Sequence, residues 1–483
     1  MDVLKNIVGV NGERKMQFNS IEFFVFFAVC FILYYCLPIR NGKWLLLIFS
    51  LVFYGSFSYS ASLALLVIAF ISWWGEVILR KKQNKYLLIL FSVCTLSPLI
   101  LLKYLNMIPG FVLPVGISFF TLQAVSGIVD VYKKKSRPSD FWEHLLYLSF
   151  FPSVVSGPII RKNDFLTELE KKKVFIYEDV RNGFYRIAIG FVEKFFLADR
   201  IAKLVDYVYG HVTEVGGAQI VTATILFGLQ LYYDFAGYSH MTIGFAKCFG
   251  ISIMENFERP YFSYSIKEFW RRWHISLSSW LRDYVYIPLG GNRKGTIRKY
   301  VNLILTFMVS GIWHGVGLNY LFWGFLHGLY QVAESCISGM VKEQRKNVRK
   351  VTVKKNIVVT LLHWMIVVAL VDFAWIFFRA ENMATAVQMI TKIFTDFQMS
   401  GLFTSWWFDY GMSKIEYLMW LAVAFGILIF DILEEREEDF LTKFGQQNIV
   451  IRWSVYVCLI FVIITAFVIG VGSNANSFLY QNF

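Results

Sequence analysis

Charge is scarce in this sequence. Asp, Glu, Lys and Arg make up 17% of its 483 residues, against about 25% in an ordinary soluble domain. Cysteine is scarce too. The six (Cys30, Cys36, Cys94, Cys248, Cys336, Cys458) lie apart, mostly inside apolar segments, with no CxxC and no Cys/His pairing at zinc spacing. This argues against a disulfide framework and leaves the thiols as small apolar filler. HExxH is missing, and the intervals between His274, His314 and His327 match no short ligand motif, so the sequence points to no metal. There is no G-x-S-x-G elbow for a Ser-His-Asp triad. Internal repeats of the transporter kind are absent as well.

What the sequence has is apolar surface: 57% of residues are hydrophobic and 18% aromatic. Apolar segments near 20 residues recur from end to end, which predicts a polytopic, all-α transmembrane bundle of about 11–12 spans. They fall at about 20–38, 43–59, 61–79, 86–104, 111–132, 182–205, 216–235, 300–317, 319–339, 356–379, 415–433 and 450–471. Residues 141–160 and 236–290 are less regular, interrupted by Pro152, Gly157, Pro158, Gly237, Pro260, Pro288, Gly290 and Gly291. Non-helical backbone at membrane depth survives only where protein or a water-filled cavity satisfies it, so both stretches are expected to wall an internal cavity. No segment looks like a soluble domain, so residues 16–483 read as one transmembrane domain. Residues 1–15 are a polar extension without the apolar core of a signal peptide, and Met16 is a second candidate start.

The net charge of +13 sits in short clusters at 80–85, 133–137, 161–173, 292–299 and 342–355. These alternate with apolar segments, the positive-inside pattern of cytoplasmic loops rather than a nucleic-acid surface. Counting spans from 80–85 as cytoplasmic puts the N-terminus outside. The chain is then a multi-pass protein of the cell membrane, with lipid around it.

Polar chemistry concentrates between residues 263 and 330. Lys267, Arg271, His274, Ser278 and Arg282 are spaced so that one continuous helix over 267–282 puts all five on one face. Phe269, Trp273, Trp280 and Tyr284 supply aromatic surface around it. Such a helix suits a membrane interface, yet a histidine amid arginines serves no lipid anchor, and Pro288-Leu-Gly-Gly-Asn forces a turn after it. His314 follows a clean apolar span, and an ionisable residue at membrane depth marks function by default. Neutral imidazole is the usual general base near neutral pH; the competing reading of His314 is a hydrogen-bonded packing residue. Gly311 and Gly315 bracket it, leaving room for a ligand or another helix. His327 reads either as a cavity-lining neighbour or as a catalyst. His240 reads as structural, and His144, His211 and His363 receive no role.

These residues resemble the membrane-bound O-acyltransferase superfamily, in particular its bacterial branch of alginate-type polysaccharide O-acetyltransferases. The resemblance begins with Met-Gln-Phe-Asn-Ser at 16–20 and continues through 114–132, 150–161, 233–239 and 255–260. It is most specific in Phe-Trp-Arg-Arg-Trp-His at 269–274, Ile-Pro-Leu-Gly-Gly-Asn-Arg at 287–293 and Ser-Gly-Ile-Trp-His-Gly at 310–315, and it recurs in 375–379 and 478–483. It departs at His240, where the related motif usually has Asp. The resemblance implies helices around a thinned, funnel-like core with re-entrant and interfacial segments. It places the family's catalytic histidine at His314 and its second functional histidine at His274.

The resemblance also implies acetyl transfer from a cytoplasmic thioester, acetyl-CoA or similar, with no permanently bound cofactor. The acyl group would pass to an extracytoplasmic acetyltransferase partner and, indirectly, a polysaccharide hydroxyl. Lys267, Arg271 and Arg272 suit donor phosphates. Trp273, Ser278, Arg282, Asp283, Trp313, Asn319 and His327 complete the expected substrate-binding set. The alternatives are D-alanyl transfer to teichoic acid and, in another class, a transporter or flippase of an acyl carrier or glycan precursor.

Overall fold

The computed structural model describes residues 16–37, 42–105, 113–346, 357–402, 406–410, 412–437 and 439–470. Expectations placed on 1–15, on most of the basic run 342–355 and on 478–483 lie outside the described residues. In chain order the α-helices are α1 (Ile21–Cys36), α2 (Lys43–Gly55), α3 (Tyr59–Lys81), α4 (Lys85–Leu105), α5 (Ile117–Tyr132), α6 (Phe141–Ser149), α7 (Lys162–Glu170), α8 (Tyr177–Phe191), α9 (Asp199–Gly210) and α10 (Gly217–Cys248). They continue as α11 (Ile266–Arg272), α12 (Ile275–Leu281), α13 (Thr296–His314), α14 (Leu318–Lys346), α15 (Ile357–Arg379), α16 (Met383–Thr395), α17 (Trp406–Tyr410), α18 (Lys414–Arg436), α19 (Phe440–Gly445) and α20 (Ile449–Gly470). Among the described residues, five helices (α3, α4, α10, α15, α18) are long and apolar enough to cross a membrane, and four shorter apolar ones (α1, α2, α5, α20) accompany them.

Helix starts follow local chemistry. Side chains of Ser20, Ser58 and Asp140 accept the backbone N–H of Phe23 (3.1 Å), Ala61 (3.0 Å) and Glu143 (2.8 Å), satisfying donors that a helix cannot pair internally. The irregular stretch after α6 is fully buried, as Phe150, Phe151, Val154 and Ile159 show. Its backbone is satisfied by protein: Phe151 N–H donates to Ser50 (3.1 Å) and Thr242 donates to the Pro152 carbonyl (2.8 Å).

Two expectations need correction. The span at 182–205 is helical throughout but not uniformly α-helical. α8 gives way to a π-helical turn, Val192–Ala198, before α9. That wider turn brings Glu193 and Lys194 inside, where Lys194 pairs with Asp234 and with Asp199 (2.7 Å), and Glu193 with His240 (3.1 Å). Nor does Gly237 break the chain: α10 runs through it to Cys248. Gly237 and Gly244 abut the carbonyls of Gly190 and Gly183 on α8, so glycine here permits close backbone approach between helices.

His144, given no role from sequence, sits in a buried network between α3, α6 and α7. Lys162 pairs with Glu76 and lies 3.1 Å from Nδ1 of His144. Nδ1 also faces Glu76 Oε1 (3.4 Å), and Nε2 lies 2.8 Å from Ser72 Oγ. Ser72 donates to the Ile68 carbonyl (2.7 Å), so the network ties α3 to α6 and α7. Removing one partner of a buried pair strands the other charge. Lys162→Ala is expected to cost about 3–5 kcal/mol, and the double change Glu76→Leu with Lys162→Met clearly less. Thermal unfolding of the detergent-solubilised protein checks both.

Candidate functional site

The stretch expected as one helix over 267–282 is two. Ser265 caps α11 by accepting Glu268 N–H (3.0 Å), and α11 stops at Arg272 after two turns. His274 then takes a left-handed conformation (φ 44°, ψ 54°) before α12 begins. The cause lies in the preceding loop. Asn256 accepts Ile275 N–H on its backbone carbonyl (2.9 Å) and Ser276 N–H on Oδ1 (3.2 Å), taking both amides before a continuing helix can use them. The break changes which residues share a surface. Lys267, Arg271, Ser278 and Arg282 still line one cavity, of about 970 Å³. His274 turns the other way, into the core, where it is 1% exposed.

The cavity is closed on its far side by α13 and α14, which contribute Lys299, Thr306, Phe307 and Glu334. It reaches Thr306, about 12 Å along α13 from His314. α13 and α14 pack closely because Gly311 abuts the Tyr320 carbonyl and Gly324 the Phe307 carbonyl. Gly315 abuts the Tyr320 ring. The room left by the glycines beside His314 is therefore taken by a helix.

His314 is the last residue of α13 and is 3% exposed. Its ring is boxed by Trp313, Phe378 and Trp323, at centroid distances of 4.7, 5.1 and 5.2 Å. Trp313 bridges to the other histidine, with its ring 6.1 Å from that of His274. Trp323 bridges to His327 at 5.1 Å. The three histidines thus share one aromatic core. His327 accepts Trp270 Nε1–H on Nδ1 (3.2 Å). An indole N–H can only donate, so the basic nitrogen of His327 is already occupied.

The remaining predicted residues serve neighbouring elements. Arg272 pairs with Glu268 and Glu435 (both 2.9 Å), outside the cavity lining. Burial opposes its charge, but hydrogen bonding to Glu435 and the two carboxylates more than offset that, leaving its pKa raised. Trp273 is buried against Phe257 (5.1 Å) and Trp375 (5.2 Å). Asp283 is held by Arg282 (2.8 Å) and Arg161 (3.2 Å). Asn319 donates to the carbonyls of Ala380 (2.9 Å) and Phe377 (3.1 Å), tying α14 to the end of α15. Pro288 to Asn292 form the expected turn, with Gly290 and Gly291 at φ 111° and 55°.

The membrane-bound O-acyltransferase family model matches residues 43–371, which include Asn256, the cavity and all three core histidines. The chain belongs to this family. As a family member it is an acyltransferase, and it is similar to the probable alginate O-acetylase AlgI of Pseudomonas aeruginosa, with 35% identity over 405 residues, 79% of this chain and 75% of that protein. It is also similar to the peptidoglycan O-acetyltransferase of Helicobacter pylori (33% identical; 58% of this chain, 56% of that one). The teichoic acid D-alanyltransferase of Streptococcus thermophilus is 31% identical over 52% of this chain and 64% of its own length.

Four residues with no role assigned from sequence join this cluster: Asn256 beside His274, Trp270 as the partner of His327, Trp323 between two histidines, and Lys103 at Trp313. Lys103 comes from the end of α4 and donates to the carbonyl of Trp313, placing a cation at the C-terminal end of α13 where the helix dipole favours one. Its lysine inside an apolar run was a readable signal; the others were not. The placement of the arginines separates two roles. Arg272→Ala is expected to lose about 1 kcal/mol of stability by removing the bridge between Glu268 and Glu435, Arg259 still holding Glu435 (2.7 Å). Arg271, with a side chain 75% exposed, should tolerate alanine within about 0.5 kcal/mol. Paired denaturation curves of the two variants check this.

Proposed function

We propose that this multi-pass membrane acyltransferase moves an acetyl group from a cytoplasmic thioester, acetyl-CoA or a close analogue, to an extracytoplasmic acetyltransferase partner that serves a polysaccharide, with its N-terminus outside. One observation carries the reading. The 970 Å³ cavity has Lys267, Arg271, Arg282 and Lys299 around it, and its α13 wall leads to His314. Guanidinium and ammonium groups suit phosphate oxygens, and an apolar, aromatic interior suits an uncharged acyl group. The alginate O-acetylase and peptidoglycan O-acetyltransferase relatives favour acetyl transfer to a glycan-linked acceptor.

In this reading the catalytic core is about 230–330. His314 accepts the proton of the acceptor hydroxyl as its oxygen attacks the thioester carbonyl. The C–S bond breaks, and the thiolate leaves with the proton returned by the imidazolium. His274 orients the reacting groups or shares the proton. No permanently bound cofactor takes part.

The test is thiol release from acetyl-CoA by the full-length protein in liposomes with its acceptor partner. His314→Ala should lower the rate at least 10²-fold while leaving inserted, folded protein; a near-normal rate would sink the assignment. Lys267→Ala combined with Arg271→Ala should raise KM for acetyl-CoA about tenfold with a smaller change in kcat. A D-alanyl thioester run in parallel separates the two acyl groups suggested by the relatives. Substrate movement without thiol release would favour a transporter.

A further inference from the structure

Asn256 is fully buried, and its side chain meets three groups near His274. Oδ1 accepts Ser276 N–H (3.2 Å) and Ser276 O–H (2.8 Å), and it faces Nδ1 of His274 at 3.1 Å. Nδ2 donates to Ser239 Oγ (3.1 Å), tying the amide to α10. A backbone N–H can only donate, so the Asn256 atom that meets it is the oxygen. The imidazole nitrogen facing that oxygen must therefore carry a proton. His327, whose Nδ1 accepts from an indole, has the opposite tautomer.

We infer that Asn256 is a positioning residue for acyl transfer: it locks His274 as the Nδ1–H tautomer, leaving Nε2 as the nitrogen that accepts a proton. The same side chain holds the backbone that follows, through Ser276, while its carbonyl holds Ile275. One residue thus sets the ring's tautomer, its direction and the left-handed turn beneath it. Which nitrogen of a histidine is basic is decided by the bond the other makes. The inference rests on the proposed participation of His274 and adds the residue that makes it competent.

The test uses full-length protein, labelled with ¹⁵N-histidine and reconstituted in liposomes. Subtracting the spectrum of His274→Gln isolates the His274 nitrogens. The wild type should show a protonated Nδ1 and an unprotonated Nε2. Asn256→Leu should shift His274 towards the Nε2–H form and lower thiol release from acetyl-CoA about 10²-fold. Asn256→Asp keeps the acceptor oxygen, so it should retain the Nδ1–H form and stay within about tenfold of wild type. Its extra negative charge should also move the acid limb of the kcat/KM profile to higher pH. An Nε2–H wild type, or an unchanged tautomer in Asn256→Leu, overturns the inference without needing any activity. The expected tautomers with activity indifferent to His274→Gln would support the lock and overturn its part in transfer.

Discussion

A left-handed conformation costs a residue with a side chain about 1–2 kcal/mol, and His274 adopts one at φ 44°. The hydrogen bonds that hold it there come from Asn256 on a separate loop. Much of the site depends on this turn. It ends α11 after Arg272, restarts the chain as α12, and rotates His274 out of the face shared by Lys267, Arg271, Ser278 and Arg282. A continuous helix would put the imidazole among the cations. The broken one puts cations and imidazole on opposite sides of the same short segment.

The interior is organised by the cost of leaving polar groups unpaired away from water. Several charges inside come in sets: Lys162 with Glu76, Lys194 with Asp234 and Asp199, and Glu193 with His240. Aromatic rings wall His274, His314 and His327, and the partner of one ring nitrogen sets the tautomer of His274 and of His327. His327 has Nδ1 occupied by a donor; His274 has Nδ1 donating. Histidines alike in a one-letter sequence thereby acquire different chemistry.

Much of the architecture was legible because a bilayer forces long apolar runs into helices. The ends of α1, α3, α4, α15, α18 and α20 fall within a few residues of where the hydrophobic runs end. His314 stood out for the same reason, as an ionisable residue closing an apolar span. The failures share a cause. Gly237 looked like a breaker because a glycine's neighbours across a helix pair are invisible in sequence; α8 is what makes it a contact point. The 267–282 periodicity was real for four of its five residues, but periodicity does not record that a distant amide captures two backbone N–H groups. Arg272 was grouped with Arg271 because adjacent arginines look alike, and Glu435 on α18 separates them.

Composition, hydrophobic run length and charge clustering determined by themselves that this is an all-helical membrane protein, and local motif order determined its family. Those properties are local or additive, so they can be read along a chain. Tertiary structure alone decided which nitrogen of His274 carries the proton, which arginine faces the cavity, and which histidines share an aromatic core. Each of those depends on a partner far away in sequence, and in a low-dielectric interior it is the partner that sets the chemistry.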